Sequence, residues 1–248
     1  MNEKIGLAHF WAQGDAVTHG IAILLALLSI ASWTIIAGKA IAHLRFRRSW
    51  MPALSAFWGA PTVARAVEAV SAEDRTKLFA NLAVTGVAAA DGHARNAERG
   101  IGAGVDASEF ITRALRMRLA HSQSEIERGL TFLASVGSTA PFIGLFGTVW
   151  GIYHALVGLT GSSQVVLDKV AGPVGEALVM TAAGLFVAIP AVLAYNAFVR
   201  GNRLAMAQLD GFAHDLHAYL TTGVRLGEGD LRLAASEGRP AVVHASRS

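Results

Sequence analysis

Glu176 opens the run "EALVMTAAGLFVAIPAVLAYN", and the next formal charge after it is Arg200. A carboxylate at membrane depth is costly and marks an ion path by default. In the first turn of a helix the same group is a partner for the helix dipole. Glu176 follows Pro173 by one turn, and both readings stand for it. Thr181 lies further into the same run, and Thr148 lies in "LASVGSTAPFIGLFGTVWGIYHAL", uncharged from Leu133 to Leu156. A threonine hydroxyl there can bond water or a protonated carboxyl, but it does not titrate near neutral pH. No other acid falls inside an apolar run, so a proton crossing the bilayer needs a carrier from a partner. His19 and His154 each stand alone near a run's end and read as interfacial polar residues rather than relays.

The glycines have a period. Gly137, Gly144, Gly151 and Gly158 recur every seven residues, with Pro141, Thr148 and Ala155 interleaved. The later run gives Ala177, Thr181, Gly184, Ala188 and Ala191, then Tyr195. Its other faces carry Leu178, Leu185, Phe186, Val192 and Leu193. Small faces let membrane helices approach closely, because lipid is as apolar as leucine and backbone contact drives their association. Two such faces, each with a threonine, could also border a shared cavity. Packing is the weightier of these two readings.

Helices must position these residues, and composition says in which medium. The chain is 53% hydrophobic, with mean hydropathy +0.43, which points to a membrane class. It has no cysteine, so disulfides and cysteine metal sites are excluded. The net charge of +3 sits beside the apolar runs, which favours a topological origin over nucleic-acid binding. Residues 16–38 and 177–199 are uncharged, as are 129–167. As one helix the last would be about 58 Å long, so it is one span with long ends. The first run starts too late and runs too long for a cleavable signal. Lys39, Arg45, Arg47 and Arg48 follow the first span, and Arg200 and Arg203 follow the third. Positive-inside then puts the N-terminus outside and the C-terminus in the cytoplasm.

The expected organisation is all-α: an integral membrane protein with three transmembrane helices, two of them extended into a cytoplasmic helical domain. Residues 1–15 form a periplasmic segment, 16–38 the first span and 39–130 the cytoplasmic helical domain. Residues 131–158 form the second span, 159–175 a periplasmic loop and 176–199 the third span. A cytoplasmic helix covers 200–226 and a disordered tail 227–248. In "SAEDRTKLFANL", Ser71 is placed to cap a helix, with Asp74 three residues on. Gly100, Gly102 and Gly104 read as a loop. One continuous helix of about 78 Å is expected from Ala107 to Gly158. Leu209, Phe212, Leu216 and Leu220 keep helical spacing beyond the third span.

"GLFGTVWGIYHAL" and "EALVMTAAGLFVAIPAVLAYN" resemble the second and third spans of the ExbB/TolQ/MotA proton-channel family. The resemblance covers nearly the whole chain, and three spans rather than four place it on the ExbB/TolQ side. "STAPFIGLFGTVWGI" and "AYNAFVR" look more like ExbB. The resemblance implies a homopentamer in the inner membrane of Gram-negative bacteria, with an ExbD-like dimer in its central pore. An aspartate on that partner would carry the proton, and the complex would energise TonB for uptake of iron-siderophores and vitamin B12. The family's pore glutamate falls on Glu176 and its pore threonines on Thr148 and Thr181. Gly137, Pro141, Gly144, Gly151, Ala177, Gly184 and Ala188 are the packing faces. Neither an enzyme activity nor a cofactor or metal is implied. A TolQ-like role in envelope maintenance and a structural scaffold are the alternatives.

Overall fold

The computed structural model describes residues 15–98, 106–158 and 168–223. The expected N-terminal segment up to residue 14, the glycine loop and residues 227–248 lie outside them, as do residues 159–167 of the expected periplasmic loop. Among the described residues there are six helices and no strand. They are α1 (Ala16–Gly59), α2 (Val63–Glu73), α3 (Leu78–Glu98), α4 (Ala107–Glu127), α5 (Leu130–Val157) and α6 (Asp168–Thr222). Three stretches are long and apolar enough to cross a membrane: Ala16–Gly59, Ala107–Val157 and Gly172–Thr222. The chain divides into two compact units.

The first unit takes residues up to His43 and Glu127–Asn202. Asp15 starts α1: its Oδ1 accepts the Thr18 N–H at 2.8 Å and its carbonyl the His19 N–H at 3.0 Å. Such a cap satisfies donors that a helix start leaves open. The helices then pack on small residues. A Cβ added to Gly137 would strike Val192, one on Gly144 would meet Gly184, one on Gly147 Met180, and one on Gly151 Ala177. Residue numbers rise along α5 as they fall along α6, so the two run antiparallel. Ile21 lies against Gly147 and Ile35 against Gly129, which sets α1 antiparallel to α5 as well. Leu25, Leu133, Val136, Ala140, Met180 and Ala191 fill the core between them. Outside it, Phe142, Phe146, Leu178, Phe186 and Leu193 are exposed, as an apolar medium allows.

Two expectations are corrected here. The long helix from Ala107 to Gly158 is broken: α4 ends at Glu127, and α5 starts after Gly129, whose φ of 84° is left-handed. That conformation costs an L-residue about 1–2 kcal/mol, and glycine adopts it freely. The apolar pattern runs on across this position and hides the break. Second, residues 168–175, expected to be loop, are the first two turns of α6. Glu176 is therefore past the first turn, where the helix dipole would explain an acid.

The second unit takes Leu44–Ile126 and residues from Arg203 on. Its core is aromatic: Phe57 and Phe79 both meet the Phe212 ring edge-on, with centroids 5.1 Å and 5.6 Å away. Val70, Leu82, Ile111, Leu115, Leu209 and Leu216 surround them. The cap expected at Ser71 is elsewhere. Ser71 lies within α2, and its carbonyl accepts from Lys77 Nζ at 2.6 Å. Asp74 starts α3 instead. Its Oδ2 accepts the N–H groups of Phe79 and Ala80 at 2.7 Å and 3.1 Å. Its Oδ1 accepts the Thr76 N–H at 2.9 Å and the Thr76 hydroxyl at 2.7 Å.

Asp74 is 1% exposed, so its removal strands buried donors. Asp74→Ala is expected to destabilise the protein by about 2–3 kcal/mol, with Asp74→Asn recovering part of the loss. Thermal melts of the purified protein in detergent measure this, and an unchanged midpoint for Asp74→Ala contradicts it.

Candidate proton-path site

Gly144 and Gly184 decide how closely α5 and α6 approach. A methyl on Gly144 would stand 2.5 Å from the Met180 carbonyl oxygen and 3.0 Å from Gly184 Cα. One on Gly184 would stand 2.6 Å from the Ala140 carbonyl oxygen. Real Cβ atoms do not approach backbone so closely, so only glycine permits this spacing. Ala177 and Ala188 are buried beside it, and Pro141 is half-buried in α5. The small faces thus meet each other within one chain. Val192, placed on the bulky face by its spacing, instead reaches over Gly137.

Four residues along α5 from Gly144, the close approach brings two hydroxyls together. Thr148 Oγ1 and Thr181 Oγ1 are 3.0 Å apart. Thr148 Oγ1 also donates to the Leu145 carbonyl at 2.6 Å. A hydroxyl has one proton and two lone pairs. With the Thr148 proton on Leu145, Thr181 is the donor between them. Thr148 is 5% exposed, so this polar contact is largely enclosed.

Glu176 lies beyond Thr181 toward the start of α6 and lines a cavity of about 240 Å³. Asp15, directly before α1, and Thr18 of α1 line it too, with Trp150 and His154 of α5 and Pro173 and Met180 of α6. That is room for several waters among polar partners. The structure therefore groups Glu176 with this cavity and pairs the threonines one turn further along.

Asp15 and Trp150 are site residues that sequence reading missed. The Trp150 indole N–H donates to Asp15 Oδ2 at 2.6 Å, and His154 Nε2 is 3.9 Å from the same oxygen. Partial burial pushes the Asp15 carboxyl up. Hydrogen bonds from Thr18 and Trp150, with His154 nearby, outweigh that and lower it to about 2. The available signal was an acid directly before one span and a tryptophan near the end of another. Their pairing, across 135 positions, has no local signature. Among the described residues no cluster of histidine and acidic side chains could hold a metal ion.

Three membrane-length helices with a close-packed glycine seam, a polar-lined cavity and an enclosed hydroxyl pair define an integral membrane protein. Residues 80–210 match the model of the MotA/TolQ/ExbB proton channel family, and the chain belongs to that family. It is 42% identical to the biopolymer transport protein ExbB of Xanthomonas campestris pv. campestris, over 87% of this chain and 86% of that protein. The same identity holds to ExbB of Neisseria meningitidis serogroup A, over 84% and 94%. To the Tol-Pal system protein TolQ of Pseudomonas aeruginosa it is 45% identical, over 45% and 48%. With its three apolar helices, this kinship makes the chain an inner-membrane protein of the type that energises transport.

Gly144→Ala and Gly184→Ala are each expected to cost about 1–3 kcal/mol through overpacking against backbone. Leu185→Phe, on an exposed face, is expected to be neutral. Melting of the three variants in one detergent checks this, and equal midpoints refute the tight seam.

Proposed function

We propose that the chain is the ExbB-like channel subunit of a complex that uses the proton-motive force to drive TonB-dependent uptake across the outer membrane. The observation that carries this reading is the Thr148–Thr181 hydroxyl contact, 3.0 Å long, beyond the cavity that Glu176 lines. On this reading the cavity and the hydroxyl pair serve one polar track between otherwise apolar helices. Glu176 would accept and release protons in the cavity, and the two hydroxyls would pass hydrogen bonds along the track. Neither hydroxyl holds a charge, so the track requires a titratable group on a partner. The family resemblance supplies one: an aspartate on an ExbD-like dimer within a homopentamer of this chain. Siderophores and vitamin B12 are the cargo that the same resemblance implies. ExbB relatives match over most of this chain and TolQ over less than half, which favours uptake over the Tol-Pal role.

On this reading Glu176→Gln abolishes siderophore-dependent growth and proton flux while the complex still assembles. Thr148→Val and Thr181→Val, near-constant in volume, each weaken flux, and the double variant is worse than either. Normal uptake by Glu176→Gln at normal expression would return that residue to a structural role.

We also propose the orientation N-terminus periplasmic, C-terminus cytoplasmic, from the cations that follow the first and third spans. Because the chain has no cysteine, single cysteines report cleanly. In spheroplasts an impermeant thiol reagent should label Ser162→Cys at once and Glu68→Cys only after lysis. The opposite pattern reverses the topology.

A further inference from the structure

Building on the proton-path reading above, we propose that Asp15 and His154 form the proton-collecting mouth of the Glu176 cavity. Asp15 is the fixed negative charge, and His154 is the group that exchanges protons with bulk water. Three ionisable side chains line the cavity: Asp15 from the cap directly before α1, His154 from α5 and Glu176 from α6. Its remaining polar side chains, Thr18 and Trp150, do not titrate near neutrality.

The two members of the pair are built differently. Asp15 is held from two sides, with Oδ1 on the Thr18 N–H of its own helix and Oδ2 on the Trp150 indole. Donors aimed at both oxygens stabilise the charged form. Its carboxylate therefore stays ionised where proteins work, and it attracts protons without carrying them. The His154 side chain is half exposed, with Nε2 3.9 Å from Asp15 Oδ2. Its ring also packs on Trp150, with centroids 4.7 Å apart. Imidazole is the side-chain type that ordinarily changes charge between about pH 5 and 8.

The cycle balances in protons. Neutral His154 takes one from a hydronium at the exposed side, leaving water. The imidazolium then gives it to a cavity water or to the Glu176 carboxylate and returns to neutral. Asp15 keeps its charge throughout and keeps the ring placed. Trp150 is a positioning residue, because it acts only by holding Asp15 and stacking on His154.

The test uses proteoliposomes holding the full chain with its pore partner, under an imposed membrane potential. Inward proton flux is followed as the pH at the cavity side is stepped from about 5.5 to 8.5, the range over which imidazole titrates. The wild-type protein should show a one-proton step in this range. His154→Gln, and His154→Phe, which keeps a ring on Trp150, should lose the step and reduce flux several-fold near neutrality. Asp15→Asn leaves an oxygen for the indole but removes the charge, so flux near neutrality should fall several-fold. Asp15→Glu should bring it back. His19→Gln, a histidine of α1 outside the cavity lining, is the control. Assembled His154→Gln and His154→Phe complexes with wild-type profiles would overturn the proposal, as would wild-type flux near neutrality in Asp15→Asn. Glu176→Gln separates the two levels. If it blocks flux while the His154 variants match wild type, the mouth fails and the path stands. If it conducts normally, the path reading itself fails.

Discussion

Where Gly144 faces Gly184, two helix backbones touch with no side chain between them. The rest of the membrane unit depends on that contact. In lipid, burying leucine gains little, since the alternative medium is equally apolar, and the available attraction is dispersion between closely approaching backbones. One methyl on either glycine would fall within 2.6 Å of a carbonyl oxygen. The spacing is therefore set by sterics, and the register follows. With Gly144 on Gly184, Gly151 must meet Ala177 and Gly137 must meet Val192. Thr148 and Thr181 then fall opposite each other at hydrogen-bonding distance. A wider seam would leave two hydroxyls out of reach in an apolar interior, where unpaired polar groups are costly.

The second unit follows other physics. Its stability comes from apolar burial around Phe57, Phe79 and Phe212, with helix ends satisfied by side chains. Asp74 shows how strictly that holds. A carboxylate 1% exposed survives there because it accepts three backbone N–H groups and a hydroxyl. It orders the turn between α2 and α3 so that Lys77 adopts a φ of 61°, rare for a residue with a side chain. The membrane unit spends its glycines on proximity. This unit uses one buried acid to fix a corner.

The seam was legible in the sequence because a helix repeats closely enough to seven residues for Gly137, Gly144 and Gly151 to share a face. The three membrane-length helices were legible for the same reason, from uncharged runs of sufficient length. What escaped depends on neighbours far along the chain or on backbone angles. Asp15 looked like a boundary charge, and only folding brings it to Trp150. Gly129 falls within the one continuous helix that the sequence leads one to expect, and its positive φ ends that continuity. Ser71 satisfied the capping pattern, but Val70 beside it is buried in the second core, and α2 continues through both. Asp74, four residues before Leu78, was the better cap because its two oxygens serve donors on both sides of the turn. Gly172, Pro173 and Gly175 are weak helix formers, yet α6 runs through all three.

The same contact that brings the threonines together also limits what this chain can do alone. Gly144 and Gly184 are filled by each other, while Gly151 and Ala177 also border the cavity, so the seam is open only at that end. The polar groups that remain are few and unevenly placed. Asp15, His154 and Glu176 gather around one cavity, and the enclosed Thr148–Thr181 hydroxyl pair lies further along. Moving one charge across 100 mV releases about 2.3 kcal/mol, and to harvest it a proton must stop at a titratable site within the field. Hydroxyls can relay a hydrogen bond but cannot hold that proton near neutral pH. On the proposed reading, then, the chain supplies access and a polar track, and the partner supplies the stopping point. That division has a mechanical use: a proton site on a separate helix can move with its charge state, while the seam of Gly144 and Gly184 keeps the track itself still.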